Sequence, residues 1–397
     1  MAENQKSVLI VRDRASSGGG IFSYYAAVEK YLTVGTAFSE VGRPHGFYGV
    51  RNGFLSRSTL WRLCYDWLAL LLRILRYWPD IVHLNPGLDV TTFRSLRRDA
   101  VNLLIARALG RRVLVFWRGW QNHWCGRPEF PGGNKGVLSR IYRLASAHIV
   151  LSERFKEDLM RWGFGTPIHV ETTVVADELV QEVPRQPDKN AVAMHLLYLS
   201  RVEVGKGVFE LLDAYKLLKV RNPGYTLTIA GDGPALEALK VGADELGLRD
   251  VHFPGFLSGQ RKIDCFRNAS VFCFLSYTEG MPNAVLEAMA MGLPIVSSDA
   301  GGLRDILQDG VTGFIVPPLE GAPEQKRFDP MRVADAIERL VNDPESCARI
   351  SRQNAHYARE RFAAPKVAQR LESIYTSVLA PGPLCGVEQA STLTGQS

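Results

Sequence analysis

Five apolar residues, Val271 to Leu275, end abruptly in the loop Ser276-Tyr277-Thr278-Glu279-Gly280-Met281-Pro282-Asn283. The good helix formers Ala284 to Met291 follow. A short apolar run without alternation reads as a strand buried on both faces, the condition of a parallel sheet covered by helices. The segment is therefore strand, loop, helix, and it carries two carboxylates. Glu279 stands on the loop; Glu287 stands about two turns into the helix, roughly 12 Å further along. In a doubly wound sheet such a loop lies at the carboxyl end of a strand, where ligands bind. The N-terminal turn of the helix, Pro282 to Val285, offers free backbone N–H groups to an anion. One short stretch thus combines an anion cradle, a carboxylate beside the reacting end and a second one placed for hydroxyls.

Strand and helix alternate through the rest of the chain. In the first half Ser7 to Arg12 reads as a strand. The glycine loop Ser16-Ser17-Gly18-Gly19-Gly20 opens a helix from Ile21 to Leu32. Further strands are expected at 80–85, 112–119, 148–152 and 168–173, with helices at 91–109 and 153–162 between them. Val180 to Asn190, with two prolines and mixed charge, reads as a linker. Strands follow at 195–200, 226–231 and 251–255, and helices at 330–342, 344–361 and 365–379. This pattern predicts an α/β fold of two parallel-sheet domains facing a cleft. The expected bounds are 1–183 and 184–363, with a last helix at 364–380 and a disordered tail at 381–397.

Charge and aromatic residues are unevenly shared. Residues 1–185 hold 25 Lys and Arg against 16 Asp and Glu, a net +9, whereas the remainder holds 22 against 25. All seven Trp fall in the first half. That asymmetry points to an anionic surface as a partner of the first half, with simple solubility as the plain alternative. Ser56 to Trp78 is an amphipathic helix. Arg62, Asp66, Arg73 and Arg76 are expected on one face, with Leu60, Cys64, Trp67, Leu68, Leu71, Leu75 and Trp78 on the other, packed on the sheet. The interfacial reading, Trp at headgroup level and Arg toward anionic lipid, is its rival. Asp66 and Arg73 interrupt it, so a bilayer span is not expected. The six Cys show no C-x-x-C pairing, and the N-terminus reads as lacking a signal peptide. Both favour a reduced, cytoplasmic location. A nucleic-acid partner is not expected.

The residues around Glu279 also carry a resemblance. S-x-x-E-G-x-P-N-x-x-x-E-A-M-A-x-G-x-P-I-V, continued by Asp299 to Leu307 and Asp309 to Val316, resembles the donor-site signature of the retaining glycosyltransferases of GT-B fold, glycosyltransferase family 4. The resemblance implies two Rossmann-like domains, the second binding a nucleotide-diphosphate sugar and the first an acceptor, with the last helix crossing back to the first domain. It implies that Glu287 holds the ribose hydroxyls and Glu279 the donor sugar. Gly280, Met281, Pro282, Asn283, Ala284 and Val285 line the sugar and phosphate. Gly255, Phe256 and Leu257 offer a pocket to the base, UDP or GDP being the expected nucleotides.

Arg201-Val202-Glu203-Val204-Gly205-Lys206-Gly207 is similar to the family's G-R-x(3–4)-K-G, with Ser200 in place of the first Gly. No Asp-x-Asp is present, so no metal or other cofactor is expected. Arg201 and Lys206 are the expected catalytic cations on the diphosphate. Gly19 and Gly20 match the family's first-loop glycines at the acceptor side. At the end of the strand 112–119, where the family carries a His that contacts the donor sugar, this chain has Arg118; His123 is a candidate substitute. The loop 121–135 is a candidate acceptor loop, with Trp120 or Trp124 stacking on a sugar or inserting at a membrane.

The expected function is retaining transfer of a sugar to a saccharide acceptor, lipid-linked, for surface polysaccharide, at the inner face of the cytoplasmic membrane. A GT-B nucleotide-sugar epimerase and a non-catalytic nucleotide-sugar-binding subunit are the alternatives.

Overall fold

The computed structural model describes residues 6–13, 20–41, 57–88, 93–120, 136–182, 194–319 and 327–380. The expectations for Gly19, His123, Trp124, the loop 121–135, linker residues 183–190 and the tail 381–397 lie outside these residues.

In the first half the elements are β1 (Ser7–Asp13), α1 (Gly20–Val28), β2 (Gly35–Val41), α2 (Arg57–Tyr77), β3 (Ile81–Leu84), α3 (Phe93–Ala108), β4 (Arg112–Phe116), α4 (Val137–Tyr142), β5 (Ala147–Val150), α5 (Glu153–Arg161), β6 (Ile168–Val170) and α6 (Asp177–Val180). The second half runs β7 (Met194–Leu199), α7 (Val208–Arg221), β8 (Tyr225–Ala230), α8 (Leu236–Glu245), β9 (Val251–Gly255), α9 (Gly259–Asn268), β10 (Val271–Phe274), α10 (Asn283–Ala290), β11 (Ile295–Ser297), α11 (Leu303–Ile306), β12 (Gly313–Ile315) and α12 (Pro330–Val341). Two last helices, α13 (Pro344–Arg361) and α14 (Ala364–Leu379), follow.

The strands form two parallel six-stranded sheets, ordered β2-β1-β3-β4-β5-β6 and β12-β11-β10-β7-β8-β9. In each, the order reverses beside the first strand of the half, and the crevice at such a switch point is where α/β sheets bind ligands. The central strands β3, β5 and β10 are buried at every position, as unbroken apolar runs require.

α13 packs on α10 in the second half, but α14 returns to the first. Its Arg370 forks onto Glu171, with Nη2 2.7 Å from Oε1 and Nε 2.8 Å from Oε2. Tyr375 places its hydroxyl 2.8 Å from His83 Nδ1, and Glu372 accepts from the Thr33 hydroxyl at 2.8 Å. Arg112 reaches the carbonyl of Val378. The second half thus supplies the last layer of the first half's core.

The faces of α2 differ from the expected assignment. Among the described side chains of α2, from residue 64 onward, Leu70 and Ile74 are the buried pair, and Arg73 turns inward to donate to Ser39 Oγ on β2 at 2.9 Å. Leu68 and Leu75, expected against the sheet, are 54% and 50% exposed. The physical reason is that the helix carries two apolar stripes. Leu70 and Ile74 pack; Tyr65, Leu68, Leu72 and Leu75, at helical spacing, face solvent.

Candidate active site

The glycine-rich turns of the second half explain how its loops come together. Gly207 has φ +60°, and a Cβ there would lie 2.0 Å from the Leu275 carbonyl oxygen. Only glycine lets the 204–207 turn press onto the end of β10. Gly301, at φ +57°, would put a Cβ 1.9 Å from the Glu279 carbonyl oxygen, and the Gly302 N–H donates to the Gly280 carbonyl at 2.7 Å. The loop bearing Glu279 is therefore clasped on one side by Gly207 and on the other by Gly301-Gly302.

That clasp brings Lys206 onto Glu279, Nζ to Oε1 at 2.5 Å, with side-chain exposures of 19% and 10%. Glu287, on the buried face of α10, has a cation of its own. Lys262 Nζ of α9 lies 2.7 Å from its Oε1. Burial pushes the Glu287 carboxyl above its ordinary value, and the Lys262 ammonium opposes that shift. Lys262 is the site residue that sequence reasoning misses. Its neighbours Ile263 and Phe266 are buried, which fixes the roll of α9 and turns Lys262 to α10.

Arg201 behaves differently from expectation. Its side chain is 73% exposed and pairs with Glu203, Nη2 to Oε1 at 2.6 Å, so in this state it does not converge with Lys206. The helix N-terminus is also narrower than expected. Pro282 caps α10 and has no N–H to give, and the Val285 N–H already donates to the Pro282 carbonyl at 3.2 Å. Asn283 and Ala284 retain free backbone donors, with no side-chain cap competing for them. Met281 packs its side chain away from solvent. Gly255 ends β9 at φ +72°, Leu257 is buried, and Phe256 is 70% exposed, a ring face free for an aromatic base.

Across the cleft stand the ends of β4 and β5. A Cβ on Gly280 would lie 3.3 Å from Leu151 Cδ1 and 3.4 Å from the Arg118 carbonyl oxygen. The Glu153 N–H, opening α5, donates to Asp305 Oδ2 at 2.7 Å. The Arg118 backbone carbonyl thus faces the Glu279–Gly280 loop, while its side chain packs on Tyr24 and Phe116 and donates to Asn85. Gly20 opens α1 with no heavy atom near its Cβ position. Trp120 does not face the cleft: it is buried between Phe155 and Trp162, stacked on both at 4.4 and 5.3 Å. Those two partners on α5 and its C-cap turn the indole inward and remove it as a sugar-stacking candidate. A separate cavity of about 340 Å³ beside Lys156, His169 and Arg370 lies on the first half. Its Arg370 is committed to Glu171, and none of the cleft residues lines it.

The site can hold an anion against Lys206 and the first turn of α10, hydroxyls on Glu279 and Glu287, and an aromatic base against Phe256. Residues 180–357 match the family of glycosyl transferases group 1. Over 184 residues the chain is 32% identical to an alpha-D-kanosaminyltransferase of Streptomyces kanamyceticus, covering 46% of this chain and 45% of that protein. Over 183 residues it is 25% identical to the capsular polysaccharide biosynthesis glycosyltransferase CapM of Staphylococcus aureus, covering 46% of each. The matched segments thus span just under half the length of these relatives. The crystal structure of HepE from Anabaena, in complex with UDP and glucose, superposes over 94% of this chain and all of that one, with a TM-score of 0.67 at 18% identity. At that identity the likeness establishes the GT-B fold, two Rossmann-like sheets with a returning C-terminal helix.

Proposed function

We propose that this chain, which belongs to the glycosyl transferases group 1 family through its second half, moves a sugar from a nucleotide-diphosphate donor to a saccharide acceptor with retention at the anomeric carbon. The observation that carries this reading is the pairing at the carboxyl edge of the second sheet. Glu287 is buried and the Glu279 side chain is only 10% exposed, and each is held by its own lysine, Glu287 at 2.7 Å and Glu279 at 2.5 Å. Carboxylates drawn this far out of water are kept only with such partners, and the two pairs hold them in place beside one strand end.

In the proposed reaction Glu287 accepts hydrogen bonds from the ribose hydroxyls, while Gly255, Phe256 and Leu257 bound the base. The diphosphate lies against Lys206 and the free N–H groups of Asn283 and Ala284. Arg201 swings from Glu203, its exposure leaving it free to do so. Glu279 holds the donor sugar beside its reacting carbon. The bond between the anomeric carbon and the β-phosphate oxygen breaks. The acceptor oxygen bonds to the same face, and its proton passes to the departing phosphate. Negative charge grows on that phosphate as the bond breaks, so Lys206 and Arg201 stabilise the transition state more than the ground state. The UDP bound by HepE makes UDP donors the first to test.

The acceptor is proposed to be a lipid-linked saccharide of a surface polysaccharide, reached from the cytoplasmic face of a membrane. The exposed stripe of Tyr65, Leu68, Leu72 and Leu75, with Arg76 beside it, supports this. Apolar side chains enter the headgroup boundary while an arginine meets anionic lipid. The test of the enzyme reading is release of nucleoside diphosphate from UDP-, GDP- or ADP-sugars. Release that requires an acceptor and falls on the order of 100-fold in Glu279→Gln supports transfer. Release without acceptor refutes transfer, and full rate in that variant refutes the role of Glu279.

A further inference from the structure

The stretch Gly301 to Asp305 touches both sides of the cleft. Toward the Glu279–Gly280 loop, the Gly302 N–H donates to the Gly280 carbonyl at 2.7 Å. Toward the first half, a Cβ on Gly302 would lie 2.7 Å from the Leu151 carbonyl oxygen, and equally 2.7 Å from that of Gly280. No side chain fits between backbones that close, so a glycine there is what lets the two halves meet. Asp305 supplies the polar contact: its Oδ2 accepts the Glu153 N–H at 2.7 Å.

Glu153 opens α5, and the first N–H groups of a helix have no partner inside it. Ser152, the N-cap, takes the Arg154 N–H on its own Oγ at 3.2 Å. The Glu153 N–H is left for a group from outside the helix, and the carboxylate that takes it belongs to the other half of the chain. That carboxylate also meets the positive end of a nine-residue helix. α11 aims it, since Leu303 and Ile306 are buried while Asp305 is exposed. The halves are joined again where the chain passes between them. There the Val175 N–H donates to the Phe362 carbonyl at 2.9 Å, and Arg359 donates to the Val180 and Glu182 carbonyls at 3.2 and 2.9 Å. Bonds at the crossing tether the halves, whereas the bond of Asp305 fixes the separation of their facing edges.

We propose that Asp305 is a positioning residue for transfer. By capping α5 it holds the edge Leu151 to Glu153 against the Glu279–Gly280 loop, and so sets the distance between a donor on the second half and an acceptor on the first. This rests on the glycosyltransferase reading above. Two changes remove the bond from opposite sides. Asp305→Ala deletes the acceptor. Glu153→Pro deletes the donor, because proline has no N–H and suits the first position of a helix. Ser152 before it is already extended, at φ −160° and ψ 148°, as a residue preceding proline must be. Glu153→Ala keeps the N–H and is the reference for Glu153→Pro.

Acceptor-dependent release of nucleoside diphosphate is measured on the full chain, with UDP affinity by isothermal titration. Each variant should transfer about 10-fold more slowly, the scale of a lost helix cap. The double variant should lose no more than either single one, because both delete one bond. UDP affinity should stay within about three-fold, since the nucleotide sits on the second half. Asp305→Asn, which keeps an acceptor oxygen, should recover most of the rate. Small-angle scattering reads closure without turnover, and both variants should show a larger radius of gyration than the natural protein.

Unchanged transfer in both single variants overturns the inference. So do losses that multiply to about 100-fold in the double variant, which make the two residues independent. A fall in UDP affinity equal to the fall in rate also overturns it, placing Asp305 in support of the donor loop alone. A natural protein without acceptor-dependent release refutes the enzyme reading instead. The capping bond is then judged by scattering, where an unchanged radius in both variants refutes it.

Discussion

Replacing Lys262 by Met keeps the length of the side chain and removes the cation that pairs with Glu287 among the described residues. Breaking a buried ion pair by deleting one partner costs about 3–5 kcal/mol when the remaining charge stays ionised. Glu287 has a second course, which is to take up a proton. From an ordinary carboxyl value of 4.5, protonation at pH 7 costs about 3.4 kcal/mol, and at pH 5.5 only about 1.4. The loss in Lys262→Met is thus capped near 3 kcal/mol at pH 7 and should shrink by more than half at pH 5.5.

The sign follows from linkage. Burial raises the folded-state carboxyl, so the folded protein binds more protons than the unfolded one from the ordinary carboxyl range upward, and stability falls as pH rises through that window. The variant, lacking the opposing ammonium, extends the window to higher pH. Urea unfolding at both pH values measures this. The signal must be far-UV circular dichroism, because all seven Trp precede residue 163 and report only on the first half. UDP affinity in the variant should weaken on the order of 10-fold at pH 7, since a protonated Glu287 loses a charge-assisted acceptor for ribose. Lys262→Arg should restore both. A loss below about 0.5 kcal/mol, equal at the two pH values, would refute the buried pairing.

Gly301→Ala places a methyl 1.9 Å from the Glu279 carbonyl oxygen on a left-handed backbone. Transfer should fall on the order of 100-fold with the protein still folded, because the loop must shift to admit it; an unchanged rate counts against the clasp. Leu68→Asp with Leu72→Asp should abolish flotation with anionic liposomes while leaving nucleotide affinity unchanged, and retained flotation removes α2 as the contact. Glu171→Leu leaves Arg370 without its forked partner and should cost about 3 kcal/mol, read as a lowered melting temperature.

Some parts of this molecule are legible in its sequence, and others are hidden for definite reasons. The carboxylates Glu279 and Glu287 and the cation Lys206 sit in a motif with fixed spacing, so strand, loop and helix can be read around them. Lys262 lies 25 positions from Glu287, and nothing in local periodicity links two helices across a sheet. β11 and β12 are three residues each, too short for any repeat to register, and β2 is an edge strand paired only with β1. The roll of α2 escapes the sequence because two apolar stripes compete on one helix, and only the packed neighbour decides between them. The inward turn of Trp120 escapes it because stacking on Phe155 and Trp162 is invisible until α5 packs on β5 and β6. Arg118 is legible as a departure from the family pattern, but the packing of its side chain on Tyr24 and Phe116 is not.

The return of α14 to the first half has a consequence for how the chain is made. His83 and Tyr375 meet across 292 positions of sequence, and Thr33 and Glu372 across 339. At a synthesis rate of about 5–20 residues per second, His83 emerges roughly 15–60 s before its partner exists. Through that interval the first sheet has its strands but not its final layer. The buried Glu171, at 1% exposure in the finished fold, waits as an open charge on a growing polypeptide. The half synthesised first is therefore the half completed last, and a chain stopped short of α14 leaves the ribosome with its first sheet unsealed.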